Sequence, residues 1–181
     1  LYVGRDNSGS GGSIVEPVKI HKISAGGEQV EEIGEQGIDD PDTVFFDSQG
    51  IVSGTPGAVI VGGSRDDASG IGDISAILPD GTVELLYSST DLYNPSGMLL
   101  DSRGRLIFSN QRQNSEILAI EAGEVKRLAS TSLRIQHLAI DQNQGHIYVS
   151  GIDANDDSNS IIQIFDGDGQ LLEASFANQP V

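Results

Sequence analysis

The feature that most constrains this fold is an aspartate that recurs three times between short β-rich segments. Asp47, Asp101 and Asp141 each end an apolar run, and a glycine follows each of them within a few residues. A second β-rich run comes after the glycine, which is the pattern of two strands joined by a hairpin. The three aspartates lie roughly 40 to 55 residues apart, a period typical of propeller blades rather than of short solenoid repeats. The sequence therefore predicts an array of blades.

The glycine content supports an all-β fold with many turns. The 181 residues include 23 glycines, which fall between apolar runs without the regular period of collagen. A chain of this length forms one good core. We therefore predict a single β-propeller domain of four-stranded antiparallel blades over residues 1–181, with blades at about residues 1–38, 39–91, 92–131 and 132–177.

Both ends of the sequence are predicted to interrupt a blade. Residues 1–4 match the second strand of the repeat, and residues 178–181 match the proline entry of a first strand. A propeller ring closes by pairing strands from its two ends, so that no long sheet edge stays open. We therefore expect either further blades in a longer chain or the self-association of two copies that share one ring.

The charge balance excludes some classes of partner. Lys and Arg total 10 against 27 Asp and Glu, a formal net charge of −17, which repels nucleic acids and anionic membrane surfaces. Cations and basic proteins stay compatible with this charge. No apolar run approaches the roughly 20 residues that a membrane-spanning helix needs, so no membrane insertion is predicted. The absence of cysteine excludes disulfides and thiolate chemistry.

One repeated pattern resembles a known group of propellers. Its elements are Pro95, Asp101, Gly104 and the Ser-Asn pair that ends at Asn110, with a weaker copy that begins at Pro41. This pattern resembles the six-bladed propellers of the NHL-repeat and SMP-30/gluconolactonase-like group over most of the chain. The resemblance implies a ring of six blades, about four of them present in part. The related propellers and the acidic surface favour an extracellular or periplasmic location.

Polar residues at the start of each first strand form the candidate site. Propeller ligands bind around a central channel, where these strand starts converge. The equivalent positions are Asp42, Ser96 and Gln136, with Asn94 and His137 beside them. Oxygen side chains suit a hard cation such as calcium, so Asp42 and Gln136 are candidate metal ligands. His137 is a candidate general base.

Two functions are compatible with this site. The first is non-catalytic binding of a small molecule or a protein at the channel face, because the recognised motifs serve blade folding and polar residues at strand ends usually bond locally. The alternative, implied by the resemblance, is a calcium-dependent hydrolase of lactones or esters. Lactonase-type relatives carry a Glu, Asn and Asp set, and Ser96 stands where their Pro-Asn-Gly has asparagine. Neither function involves nucleic acid.

Two further predictions concern packing. Arg103 and Arg105 flank the hairpin of the third repeat, and we expect them to be solvated, where an anionic ligand could use them. Alternate residues of the first strands should pack between adjacent blades, because alternate side chains of a strand share one face. These residues are Val44, Phe46, Met98, Leu100, Leu138 and Ile140.

Overall fold

The computed structural model describes residues 2–4, 20–24, 26–28, 30–33, 40–66, 71–111 and 115–176. All regular structure in these residues is β-strand, in agreement with the predicted all-β class. The strands are β1 (Tyr2–Gly4), β2 (Ile20–Ile23), β3 (Val30–Ile33), β4 (Asp40–Asp47), β5 (Ala58–Asp66), β6 (Ile71–Ile77), β7 (Val83–Ser89), β8 (Pro95–Leu100), β9 (Leu106–Asn110), β10 (Ser115–Glu121), β11 (Glu124–Thr131), β12 (Leu133–Asp141), β13 (His146–Asp153), β14 (Asp156–Phe165) and β15 (Leu171–Phe176).

Within the described residues the strands form four sheets, each built from strands that follow one another in the chain. The first sheet has the order β1-β2-β3, and the second has β4-β5-β6-β7. The third sheet contains β8 to β11 and the fourth contains β12 to β15, again in chain order. Neighbours pair antiparallel, as β4 does with β5 and β12 with β13. The predicted four-stranded blade is thus confirmed for three sheets, and the first sheet has three strands among the described residues.

The chain folds as two compact units, Leu1–Pro95 and Ser96–Val181. In the first unit, the first and second sheets enclose a core that includes Ile20, Val59 and Ile77. In the second unit, the third and fourth sheets enclose a larger core. That core contains Leu99, Ile107, Ile117, Ala119, Leu133, Ile135, Ile147, Val149, Ile161 and Phe165. The single domain over residues 1–181, and the blade bounds within it, stay predictions.

The packing positions on the first strands follow the prediction only in part. Val44 packs on the core of the first unit, and Leu138 and Ile140 pack on that of the second. Phe46 is 46% exposed, so the prediction is wrong there. Leu99, on the other face of β8, is only 8% exposed, because the third sheet packs that face against the fourth.

The recurring aspartates close the turn that follows each first strand. The carboxylate of Asp47 is buried and accepts hydrogen bonds from the backbone N–H groups of residues 51–53, each at 2.9 Å. Asp101 and Asp141 accept backbone hydrogen bonds from residues two to four positions later. Each carboxylate therefore satisfies turn N–H groups that have no partner in the sheet. These aspartates stabilise the hairpins of the repeat.

Arg105 is 5% exposed, so the prediction that it is solvated is wrong. Its Nε and Nη2 bind Oδ2 of Asp101 at 2.8 and 2.7 Å, and Nη2 also donates to the carbonyl oxygen of Gly167 at 2.5 Å. These protein oxygens take the place of water around the guanidinium. Arg103 stays about half exposed and pairs with Asp168 at 2.5 Å. Within the second unit, both arginines thus join the β8–β9 turn to the β14–β15 turn.

Candidate functional site

The first strands of the second and fourth sheets carry a β-bulge at the same position of the repeat. The register of β4 against β5 shifts between Pro41 and Thr43, which makes Asp42 the extra residue. The register of β12 against β13 shifts between Ile135 and His137, which makes Gln136 the extra residue. Both side chains are exposed. A bulge re-aims a side chain out of the regular alternation, and bulges are common beside binding and active sites.

A glycine on the neighbouring strand lies opposite the residue before each bulge. Gly63 lies opposite Pro41, and Gly151 lies opposite Ile135. A Cβ atom at Gly151 would overlap the carbonyl oxygen of Arg134. Any larger residue there would have to displace backbone rather than a flexible side chain. Gly151 therefore leaves room for the backbone of β12 beside the bulge at Gln136.

In the first unit, the structure brings Asp42 together with Asn94. With its amide nitrogen directed at the carboxylate, Asn94 donates to Oδ1 of Asp42 at 3.0 Å and also to Oδ2. The backbone of Asn94 has a positive φ of 50°, a conformation that asparagine tolerates better than most residues. This backbone turn directs the Asn94 side chain towards the bulge of β4. An exposed carboxylate and a half-buried amide thus lie together near the start of β4.

In the second unit, polar groups of the third sheet hold the bulge of β12. Nε2 of Gln111 donates to the carbonyl oxygen of Ile135 at 2.6 Å, and the N–H of Ile135 donates to Oγ of Ser115 at 3.5 Å. Sequence reasoning missed Gln111. The signal available was its place directly after the Ser-Asn pair that ends the second strand of the repeat.

The remaining predicted residues are placed as follows. His137 directly follows Gln136, is exposed, and lies opposite Ser150 in the ladder. The backbone of Ser96 lies in β8, but its side chain lies outside what the structure describes. The structure thus pairs Asp42 with Asn94 in one unit and places Gln136 beside His137 in the other. The roles given to these residues from the sequence stay predictions.

The described part of the chain contains no cluster of metal-binding side chains. No group of three or more His, Cys, Asp or Glu side chains among these residues lies close enough to hold a metal ion. The acidic segment 153–159 bonds locally instead, since Oδ1 of Asp153 accepts from the backbone of Asn155 at 2.9 Å and Oδ2 of Asp156 accepts from Asn159 at 2.6 Å. Among the same described residues, no helix is long and apolar enough to cross a membrane.

Comparison with known proteins gives structural matches alone. No family model matches the chain, and no curated protein matches it. Virginiamycin B lyase from Staphylococcus aureus is 15% identical with a TM-score of 0.58, and the match covers 90% of this chain and 49% of that one. Gluconolactonase from Xanthomonas campestris is 17% identical with a TM-score of 0.62, covering 87% and 54%. Regucalcin from Agrobacterium tumefaciens, a calcium-binding protein, is 14% identical with a TM-score of 0.62, covering 88% and 53%.

The chain has a β-propeller fold. The predicted resemblance to SMP-30/gluconolactonase-like propellers is confirmed at the level of fold, whereas the NHL repeat and the number of blades in a ring stay predictions. The chain spans about half the length of the three propellers named above. One of those proteins is named as a lyase, one as a lactonase and one as a calcium-binding protein. A fold shared by enzymes and binding proteins does not by itself assign a function.

Proposed function

We propose that this propeller chain is a non-catalytic binding module, and that within a unit the bulged start of a first strand contacts the ligand. The observation that carries the proposal is the recurrence of the bulge, at Asp42 in β4 and at Gln136 in β12. Bulges are common beside binding and active sites, and these two place a polar side chain at equivalent points of two first strands. Both extra residues are exposed and polar.

The chemistry of these residues suits hydrogen bonding to a polar ligand. In the first unit Asp42 offers a carboxylate and Asn94 an amide directed at that carboxylate, and in the second unit Gln136 offers an amide. Carboxylates accept hydrogen bonds from hydroxyl and amide groups, and amides both donate and accept. We infer a ligand rich in hydroxyl or amide groups, either a small molecule or the surface of a protein.

The alternative is a calcium-dependent hydrolase of lactones or esters, and one observation favours it. Asp42 and Asn94 lie together, and a rotated Asn94 amide would place two oxygen ligands at one point. Calcium, however, takes 6–8 oxygen ligands, and this pair alone does not supply them. The described residues therefore do not fit a complete calcium site, and no hydrolytic step is assigned to them.

Ligand-observed NMR with a panel of sugars, polyols and small amides tests the proposal. We expect saturable binding that persists in excess EDTA and weakens in Asp42→Ala if the ligand binds the first unit, or in Gln136→Ala if it binds the second. Gln144→Ala, which alters an exposed glutamine in the β12–β13 turn, is the matched control and should bind as the parent does. Binding that survives both substitutions unchanged would contradict the proposal.

Calorimetric titration of calcium into metal-stripped protein distinguishes the alternative. Tight calcium binding that Asp42→Ala abolishes, together with calcium-dependent turnover of a lactone, would favour the hydrolase. The proposed binding module predicts neither result.

A further inference from the structure

The bulge of β12 is held by a side chain of the neighbouring sheet. The register of β12 against β13 skips Gln136, since Ile135 and His137 have consecutive partners on β13. Ile135 is fully buried, and a buried backbone carbonyl needs a hydrogen-bond partner. Nε2 of Gln111 donates to the carbonyl oxygen of Ile135 at 2.6 Å. A side chain that directly follows β9 of the third sheet thus reaches the bulge of the fourth sheet.

The bonded carbonyl belongs to the same peptide group as the amide nitrogen of Gln136. A peptide group is planar, because its C–N bond has partial double-bond character. A hydrogen bond to the oxygen of Ile135 therefore also fixes the direction in which the chain enters Gln136. Since the side chain of Gln136 is exposed, its direction depends mainly on the backbone that carries it.

The other two first strands have proline at the repeat position of Ile135. Pro41 precedes the bulge of β4, and Pro95 begins β8. A proline ring fixes φ and removes the N–H donor, which suits a bulge. Ile135 has neither property, and the third sheet supplies what is missing. Oγ of Ser115 accepts from the N–H of Ile135 at 3.5 Å, and Gln111 binds the carbonyl oxygen.

Gln111 has a fixed place from which to act. It directly follows Asn110, the last residue of β9, which is fully buried. Nδ2 of Asn110 donates to Oε2 of Glu116 at 3.2 Å, and the two residues are partners in the ladder of β9 and β10. Gln111 itself is half-buried. Both the donor and the acceptor of the contact with Ile135 are therefore held by their own sheets, and both belong to the second unit.

We propose that Gln111 is a positioning residue for the ligand site at Gln136. It acts through the peptide group between Ile135 and Gln136 rather than by contact with the ligand. The third sheet thereby sets the direction of a binding residue that belongs to the fourth sheet. This inference rests on the function proposed above for the second unit.

NMR spectroscopy of the ligand-free protein tests the positioning separately from binding. The scalar coupling between the amide proton and the Hα of Gln136 reports the φ angle of that residue. Gln111→Met keeps a chain of similar length and removes the donor, so we expect this coupling and the Gln136 amide shift to change. Gln111→Lys supplies a donor again and should return both values towards those of the parent.

Gln142→Met is the matched control. Nε2 of Gln142 donates to the carbonyl oxygen of Leu100 at 2.8 Å, so this variant removes the same kind of contact between the same two sheets. Gln142 follows the other end of β12. The coupling and the amide shift of Gln136 should therefore stay at the parent values.

The panel of sugars, polyols and small amides measures the consequence for binding. For a compound whose affinity falls in Gln136→Ala, we expect Gln111→Met to weaken binding up to about fivefold, the size of one net hydrogen bond. Gln111→Lys should recover most of this loss, and Gln142→Met should bind as the parent does.

Two outcomes would overturn the inference. One is a folded Gln111→Met protein in which the coupling and the amide shift of Gln136 are those of the parent. The other is equal binding of a Gln136-dependent compound to Gln111→Met and to the parent. If Gln111→Met does not fold, Gln111→Asn replaces it, because its amide is too short by one methylene to reach the same oxygen. A changed coupling with no binding of any compound would support the positioning role and contradict the proposed function.

Discussion

Replacement of Arg105 by methionine should destabilise the second unit strongly. The guanidinium is buried, and it makes two bonds to Oδ2 of Asp101 and one to the carbonyl oxygen of Gly167. Methionine fills a similar volume with an apolar chain, so the change removes the charge and its three bonds more than it removes packing. It leaves the Asp101 carboxylate buried, with its remaining hydrogen bonds coming from backbone N–H groups of its own turn.

The expected magnitude follows from burial. Removal of one partner from a buried ion pair costs about 3–5 kcal/mol, because the other charge stays out of water without compensation. Arg105→Lys keeps the charge but loses the planar fork that reaches both oxygens, so it should recover part of the loss. Arg103→Met removes an exposed pair with Asp168, which water and salt screen, so it should destabilise the unit far less than Arg105→Met.

Urea denaturation followed by far-UV circular dichroism measures these differences, since the chain has no tryptophan. Arg103→Met is the matched control, because it makes the same chemical change two residues away on the same turn. A loss below about 1 kcal/mol in Arg105→Met, or equal losses in the two variants, would show that the buried pair does not stabilise the unit as argued.

Three shorter predictions rest on other contacts. Leu99→Ala should cost about 2–5 kcal/mol in denaturant melts and Leu100→Ala clearly less, because only Leu99 is buried in the core. Gly151→Ala should destabilise by about 1–3 kcal/mol through overlap with the facing backbone; an unchanged melting curve would contradict this account of the bulge. Arg103→Met should raise the Asp168 pKa towards its ordinary value, measured by NMR, because the hydrogen bond and charge of Arg103 lower it. Since the folded-state pKa is depressed, this pair stabilises the fold above the unfolded-state pKa, and the effect is lost as pH falls through the folded-state value.

The parts of the fold that were predictable from sequence are those encoded by neighbouring residues. A hairpin closed by an aspartate depends on residues a few positions apart, so Asp47 and Asp101 marked their turns correctly. The burial of Arg105 depends on Gly167, which lies 62 positions away, and no local pattern carries that information. The bulge at Gln136 likewise depends on the pairing of β12 with β13 and on the Gln111 contact from another sheet.

The repeat itself separates residues that fold the blade from residues that can serve a ligand. Asp47, Asp101 and Asp141 keep one identity at one repeat position, and each carboxylate accepts hydrogen bonds from the backbone of its own turn. Five positions earlier the chain has Asp42, Ser96 and Gln136. The bulges of β4 and β12 form with either an acid or an amide at that position, so the fold does not require one side chain there. At this repeat position the bulge recurs, whereas the side chain differs. A residue that contacts a ligand can therefore vary there without loss of the blade.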